Sequence, residues 1–241
     1  MSSEDSSSTT SSAKKISAGI LLSRLTGLLR ESLLRSVLGL GPAADAFAAA
    51  LRIPNLLQNL LGEGSLSSSF IPVYSRLISE GKEEEAGKVA GAIAGLLIAF
   101  TGGLTLIGIF MAKPIAKILT PGFTSEKLDL TADLIKITTC GIGFLVLAAW
   151  CLGVLNSHRK FFLSYVAPVI WNVAQVIVLI IAISNNWEPT KAAKAAAWGL
   201  LLGGAAQLLL QFSGVLKLRN KIRISFDAKN SHVKEIVKRF N

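Results

Sequence analysis

Long, almost uncharged apolar runs constrain this chain more than any other feature of its sequence. Four such runs fill most of the chain after residue 85: residues 86–111, 128–155, 161–183 and 192–216. About 20 apolar residues are enough for a helix to cross the hydrocarbon core of a bilayer, where every backbone polar group must be bonded within its own segment. The runs therefore predict an all-α, polytopic membrane protein.

Two further spans, residues 16–38 and 43–61, precede these runs. They are separated by Gly39-Leu40-Gly41-Pro42, a combination typical of a tight reversal. A signal peptide is the competing interpretation of the first span, but its apolar core would end after about 7 to 15 residues. This segment continues to Val37 and contains arginines, so we expect it to be retained. The prediction is six transmembrane helices within residues 15–216.

Composition agrees with a membrane protein and excludes other classes. Charged residues make up 17% of the chain, whereas a soluble domain carries about 25%. The net charge of +10 would suggest a nucleic acid partner in a soluble protein, but most basic residues lie in short loops between apolar runs. We therefore expect no nucleic acid partner. The two cysteines, Cys140 and Cys151, lie about 16 Å apart along one predicted helix, beyond the reach of a disulfide.

Basic residues are distributed unevenly between the two predicted sides of the membrane. With the N-terminus inside, fifteen of the 25 lysines and arginines lie in cytoplasmic segments and five on the opposite side. This excess predicts that both termini are cytoplasmic. Residues 1–14, rich in serine, are predicted to be a disordered cytoplasmic tail, and residues 217–241 a basic segment on the cytoplasmic surface.

Charged side chains interrupt the first two spans and are the strongest functional signal. They are Arg24, Arg30, Glu31, Arg35, Asp45 and Arg52. A charge at the centre of a membrane helix costs about 2.5 to 3.5 kcal/mol on insertion scales, so several together should line a wet cavity or meet a charged ligand. At about 100° per residue the polar residues fall on one face of each helix. These faces are Ser17, Arg24, Glu31 and Arg35 on the first helix, and Asp45, Arg52 and Asn59, with Asn55 beside them, on the second.

The simpler alternative is that these charges only fix helix packing. Glu31 and Arg35 are four residues apart and can pair within one helix, and Asp45 can pair with a neighbouring arginine. Arginines outnumber the one acid of the first helix, which leaves positive charge available for an anion. Pro54 is expected to kink the second helix.

Other polar residues have weaker claims to a functional role. One candidate group shares a face of the fourth helix: Asp129, Asp133, Lys136 and Cys140. This group could extend the cavity or bind a cation, or its acids could simply interact favourably with the helix dipole. Asn172 and Gln175 are predicted to form hydrogen bonds between helices. The sequence contains no phosphate loop, nucleophile elbow or metal-ligand spacing, so it predicts no catalytic residue, no metal, no cofactor and no enzyme activity.

Two motifs in the first two spans resemble a known family. SRLTGLLRE, starting at Ser23, and DAFAAALRIPNLLQNLLGEGSLSSSFIP, starting at Asp45, resemble the start of the MurJ (MviN) family of lipid II flippases. LNSHRKFFLSYVAPVIWN at residues 155–172 matches more loosely. The family belongs to the multidrug, oligosaccharidyl-lipid and polysaccharide exporter superfamily. This chain departs from it at Gln58 and Asn59, where many relatives carry arginine; if that arginine helps to hold the substrate, part of the cationic site is missing here or supplied elsewhere.

The resemblance implies a substrate and a set of residues that bind it. Lipid II carries a pyrophosphate between a polyprenyl tail and a sugar-peptide head, and the planar fork of arginine suits such an oxyanion. The implied headgroup clamp is Arg24 and Arg52, with Arg30 assisting. The other implied residues are Glu31 and Asp45, which orient the arginines, Ser23 and Asn55 in the site, and Pro54, Glu63 and Gly64, which act as bends during alternating access.

The resemblance also implies a partner and a location. Exporters of this superfamily pair two six-helix lobes, so this chain would be the N-terminal lobe, working with a partner C-terminal lobe or as a homodimer. It would serve peptidoglycan synthesis, cell-wall biogenesis and cell shape in the bacterial cytoplasmic (inner) membrane, with the membrane potential or a cation gradient as candidate energy sources. The alternatives are an exporter of another polyprenyl-pyrophosphate lipid, of polysaccharide lipids or of drugs, and a non-transporting remnant or assembly module.

Overall fold

Helices account for nearly all of the structure. A computed structural model describes residues 3–218, 222–227 and 230–239, and no strand occurs among them. The elements are α1 (Ser3–Leu38), α2 (Pro42–Ala50), α3 (Arg52–Leu57), a π-helical segment (Gln58–Phe70), α4 (Ile71–Ser79), α5 (Glu83–Phe110), α6 (Ala112–Leu119), α7 (Ser125–Ser157), α8 (Phe161–Ser184), α9 (Pro189–Leu216) and α10 (Ser231–Lys238). The prediction of an all-α, polytopic membrane protein is confirmed.

Among the described residues, four helices, α5, α7, α8 and α9, are long and apolar enough to cross a bilayer. They coincide with the four apolar runs of the sequence. α1 and the series from α2 to α4 take the places of the first two predicted spans, and the total of six spans stays a prediction. α1 begins at Ser3 and so runs through the segment predicted to be disordered. Once a helix has nucleated, each added residue gains a hydrogen bond, so even a serine-rich extension can continue it.

α7 lies at the centre of the bundle. It packs against α9, α5 and α2, while α8 packs against α9 and α1. Two close approaches depend on glycine, because a Cβ atom at Gly108 would lie 2.6 Å from Thr139, and one at Gly203 would lie 2.9 Å from the carbonyl oxygen of Trp171. Gly39, with φ of +62°, makes the predicted reversal between α1 and α2.

The second predicted span, residues 43–61, is broken near its middle. α2 ends at Ala50 and α3 begins at Arg52. Pro54 has no N–H to donate to the carbonyl of Ala50, four residues earlier. Thr138 of α7 donates to that carbonyl instead, with Oγ1 and O 3.3 Å apart. The helix is therefore interrupted just before Pro54, and the carbonyl left free is bonded to the central helix.

The helical backbone is not broken after this span, contrary to the sequence prediction. Gly62-Glu63-Gly64 is a combination expected to break the helix, and residues 65–79 are expected to form an amphipathic or re-entrant stretch interrupted by Pro72. Instead the π-helical segment carries the backbone through these positions to α4. Its wider turns keep the peptide groups bonded along the chain, which hydrocarbon requires. Side chains at residues 62–65 lie outside the described part, and the role of Glu63 and Gly64 as bends stays a prediction.

Ion pairs join α10 to the bundle at the end where α4 stops and α5 starts. Arg76 donates to Glu235 at 3.1 Å, and this hydrogen bond lowers the pKa of Glu235. His232 Nε2 lies 3.1 Å from a carboxylate oxygen of Glu85. Val233 of α10 is buried against the bundle. α10 is thus an amphipathic helix, as its sequence pattern predicts, and it is held by charges on its polar side.

Candidate functional site

A polar cavity lies between α1, the break between α2 and α3, and α8. Its volume is about 440 Å³. The polar or aromatic side chains that line it are Arg30, Glu31, Arg35, Asn55, Gln58, Trp171 and Gln175. Apolar walls complete it, among them Leu34, Phe47, Leu51, Leu145 and Leu200. We call this the arginine cavity.

Arg30 is the most enclosed cation of the cavity, with 22% of its side chain exposed. Its guanidinium carbon lies 4.8 Å from the centroid of the Trp171 ring, in a cation–π arrangement. Its nearest acid is Glu31, 3.7 Å away. The Nε of Arg30 is buried and has no hydrogen-bond partner among the described residues. Arg30 is therefore held in place while part of its hydrogen-bonding capacity stays unused.

Glu31 is shared between two arginines. Its second ion pair, with Arg35 at 3.4 Å, is the i, i+4 pair that the packing alternative predicted. One carboxylate cannot neutralise two guanidinium groups, so these side chains leave one net positive charge at the cavity wall. An oxyanion entering the cavity would meet that charge in surroundings that are largely apolar, where it acts more strongly than in water.

α8 supplies the opposite wall of the cavity. Asn172 donates to the carbonyl of Ser23 at 3.2 Å and to the hydroxyl of Thr26 at 3.3 Å, so it joins α8 to α1 as predicted. Gln175 is buried, and its Nε2 has no hydrogen-bond partner within the described ranges. The sequence analysis missed Trp171 as a site residue. Its spacing of four residues from Gln175 on an otherwise apolar helix was the available signal.

Asp45 and Arg52 face a different part of the molecule. Asp45 forms an ion pair with Lys127 of α7, rather than with an arginine as the packing alternative supposed. Arg52 donates to the backbone carbonyl of Leu119 at the end of α6, at 3.1 Å. Neither residue lines the arginine cavity. The lining residues of this stretch, Ala44, Ala48, Leu51 and Asn55, follow one helical face, and Asp45 and Arg52 each lie one residue further on, about 100° around the helix axis.

Arg24 and Ser23 lie nearer the N-terminal end of α1. Arg24 is exposed, and six residues of helix place it about 9 Å along the axis from Arg30. Ser23 contributes its backbone carbonyl to the contact with α8. Asn55 does line the cavity, as expected, and so does Gln58 at one of the two positions where this chain departs from the family pattern. The predicted substrate-binding roles of these residues stay predictions.

The acidic stripe of α7 is occupied by salt bridges. Asp133 accepts from Lys194 at 2.8 Å and from Lys136 at 3.3 Å, and Asp129 pairs with Lys113 at 2.6 Å. α7 begins at Ser125, so both acids lie beyond its first turn, where the helix dipole has little effect. Within the described ranges, no group of three metal-ligating side chains occurs.

The family model and the curated relatives agree on one family. The family model described as "Lipid II flippase MurJ" matches residues 34–241. A "Probable lipid II flippase MurJ" of Rhizobium tropici is 30% identical over 226 residues, which are 92% of this chain and 42% of that protein. One of Bdellovibrio bacteriovorus with the same name is 34% identical over 221 residues, covering 90% of this chain and 41% of the relative.

A solved structure extends this agreement to the fold. The structure titled "Lipid II flippase MurJ, inward closed conformation" superposes with a TM-score of 0.73 at 25% sequence identity, covering 93% of this chain and 46% of the other. This chain therefore spans less than half the length of the relatives that it matches. The match extends over α2 to α10 and takes in the C-terminal end of α1. The chain belongs to the MurJ family of lipid II flippases.

Proposed function

We propose that this chain is the N-terminal lobe of a lipid II flippase, which moves the lipid-linked peptidoglycan precursor across the bacterial cytoplasmic membrane by alternating access. One observation carries the proposal beyond family membership. Arg30 lies in a cavity walled by membrane helices, is held against Trp171, and keeps a buried Nε without a partner among the described residues. Such a group suits a diphosphate, because a guanidinium binds oxyanions through several N–H groups and stays charged when partly desolvated.

The proposed binding site places the diphosphate against Arg30. Glu31 orients the guanidinium, and Asn55 offers an amide to the sugar part of the headgroup. Arg24 and Arg52 complete the clamp in this proposal. Arg52 bonds to a neutral carbonyl, so its positive charge is not cancelled there. Binding that uses Arg24 or Arg52 together with Arg30 requires the helices to move, and Pro54, Glu63 and Gly64 are the proposed bends.

A second lobe is part of the same proposal. α1 exposes a row of leucines, with Leu21, Leu25 and Leu28 each more than half exposed, beside the exposed charge of Arg24. A charge directed at lipid is costly, whereas a partner surface or a wet cavity would accommodate it. The proposed partner is a C-terminal lobe, or a second copy of this chain. Both termini lie in the cytoplasm in this arrangement, as the excess of basic residues on that side supports.

Reconstitution tests the proposal directly. The chain, alone and together with the C-terminal half of a MurJ relative, is placed in liposomes that contain fluorescent lipid II, and translocation is followed by quenching from outside. We expect translocation only with both lobes, or with a cross-linked dimer of this chain. Arg30→Ala should abolish it. Lys117→Ala, which removes an exposed cation of α6 outside the cavity, is the matched control and should keep it. Translocation that survives Arg30→Ala would contradict the proposed site.

A related exporter of another polyprenyl-pyrophosphate lipid is the second candidate. Gln58 favours it, because it places a neutral amide, able to form hydrogen bonds with a different sugar, at a cavity position where the family pattern often has arginine. Competition between lipid II and a polyprenyl diphosphate that bears a different sugar would separate the two. Equal competition would favour the second candidate.

A further inference from the structure

A second groove opens at the end of the bundle where α7 stops and α8 starts. Its volume is about 570 Å³, and it shares no lining residue with the arginine cavity. Its walls include Leu155, Phe161, Phe162, Leu163, Leu210 and Leu218. Its rim carries three cations: Arg159, Lys160 and Lys217. We call it the interfacial groove, because the ends of three apolar helices place it at the boundary between hydrocarbon and water.

Glycine at position 214 keeps the floor of this groove close-packed. A Cβ atom there would lie 2.2 Å from Cδ2 of Leu163 and 3.2 Å from Cδ2 of Leu155. The missing side chain therefore lets α8 approach α9 closely and leaves the volume above the contact open. Phe162 and Leu216, which are 59% and 68% exposed, extend the apolar surface outward from the groove. An apolar chain can thus continue from the groove into the bilayer.

The charged side chains that line the groove are all positive. None of the described residues that line the groove is acidic. Within the described part of the chain, neither Arg159 nor Lys217 forms an ion pair. The start of α8 adds to this charge, because its N-cap residue makes no side-chain capping hydrogen bond and leaves the first N–H groups available. Cations and free N–H groups over an apolar wall suit a ligand with an anionic head and an apolar tail.

We propose that the interfacial groove binds one acidic glycerophospholipid from the leaflet at this end of the bundle. The phosphate lies at the rim between Arg159 and Lys217, and an acyl chain follows the wall formed by Phe161 and Leu210. The volume lies within the range of about 300 to 1,000 Å³ that is usual for ligand sites. A free phosphate would leave the apolar wall wet, whereas a lipid covers it. The proposal does not depend on the proposed transport activity.

A tryptophan reporter can detect the lipid in the groove. Phe162→Trp places a fluorophore at its mouth, and subtraction of the parent signal removes the four native tryptophans. The 241-residue chain is titrated in detergent micelles with brominated phosphatidylglycerol or brominated phosphatidylcholine. A cation near an anionic headgroup strengthens binding about fivefold, so two should give the acidic lipid about a thirtyfold advantage in half-quenching concentration.

Two sets of variants decide whether the groove causes this preference. Arg159→Gln with Lys217→Gln should make the two lipids equal. Lys88→Gln with Lys234→Gln removes the same charge from exposed positions on α5 and α10, outside the groove, and should leave the preference intact. Ser213→Phe keeps every cation but fills the groove, and should also abolish the preference. The proposal would be overturned if both lipids quench the Phe162→Trp protein equally. It would also be overturned if the two double variants lose the preference to the same extent, or if the preference survives Ser213→Phe.

Discussion

Arg30 and Arg52 lie on neighbouring helices of one small lobe, yet their surroundings differ. Arg30 lies in a cavity, stacked on Trp171, with its one nearby carboxylate shared with Arg35. Arg52 lies on the surface and donates to a backbone carbonyl that ends α6. Close to it, Asp45 is neutralised by Lys127. In this conformation the charges of the second region thus hold α2 and α3 against α6 and α7, whereas Arg30 remains incompletely satisfied; closure of the proposed clamp would release Arg52 from Leu119.

The difference shows how a charge in a membrane helix can be interpreted. A cation whose hydrogen bonds are taken up by the fold contributes to packing. A cation that the fold positions, but whose hydrogen-bonding groups it leaves partly unused, is available to bind a ligand. The free-energy cost of removing that cation from water has already been offset by folding. This contrast can be tested from both sides, by changing each region and measuring binding and stability separately.

The largest effect is expected at Arg30. In the two-lobe assembly, Arg30→Ala should weaken the binding of fluorescent lipid II by about 2 to 5 kcal/mol, the range for truncating one partner of a buried charge pair. Arg30→Lys should recover only part of this, because a point charge does not reproduce the fork. Arg52→Ala should cost less, since its guanidinium is exposed. Equal losses at Arg30 and Arg52, measured by lipid retention in nanodiscs, would erase the distinction between the two regions.

Thr138 tests the structural character of the second region. Thr138→Val leaves the Ala50 carbonyl without its partner from α7 and should lower the free energy of unfolding by about 1 to 3 kcal/mol. Thr131→Val is the control, because its hydroxyl bonds to a carbonyl of its own helix. The free energy of unfolding of both variants is measured in mixed micelles that contain an increasing fraction of denaturing detergent. If the two variants are equally stable, the bond across the break contributes nothing.

Trp171 tests how the first region holds its cation. Trp171→Leu keeps an apolar wall but removes the cation–π contact, and should weaken lipid II binding by about 0.5 to 2 kcal/mol. Trp198→Leu, at an exposed position on α9, should leave binding unchanged. Titration with fluorescent lipid II measures the difference. An unchanged affinity in Trp171→Leu would show that the ring does not position Arg30.

The smallest effect is expected at the ion pair between Asp45 and Lys127. A double-mutant cycle with Asp45→Asn and Lys127→Gln should give a coupling energy of about 0.2 to 1 kcal/mol in stability, since Asp45 is 56% exposed. Lipid II binding should not change. A loss of binding in either single variant, with stability intact, would move this pair into the site and contradict the assignment of the region to packing.

The sequence predicted much of the fold because hydrocarbon permits so few structures. The runs at residues 86–111, 128–155, 161–183 and 192–216 could only be helices, and their limits agree with α5, α7, α8 and α9 within a few residues. The second span was harder, because the fate of the Ala50 carbonyl depends on Thr138, a residue far away in sequence. The π-helical segment likewise has no simple periodic signature.

The candidate site, too, could be predicted only in part, because some of its residues are brought together by contacts between helices that are far apart in sequence. Arg30 and Glu31 were marked by the cost of a charge in a membrane helix, Asn55 by its place beside the polar face of the second helix, and all three line the cavity. The helical angles also grouped Arg52 with this site, because they show which residues of one helix share a face but not which face meets the neighbouring helix. Trp171 and Gln175 were missed as cavity residues because neither is charged, and their importance comes from facing Arg30 across a helix interface.

The sharing of Glu31 between two arginines has an electrical consequence. With one net positive charge, the empty cavity would be drawn toward the negative inside of an energised membrane as it turns inward. A diphosphate brings more negative charge than this, so a cavity loaded before Arg24 and Arg52 close on the substrate would be net negative and drawn outward. Each elementary charge moved across the field gains about 2.3 kcal/mol per 100 mV. In the proposed cycle, the membrane voltage would therefore favour both the inward return of the empty cavity and the first outward movement of the loaded one.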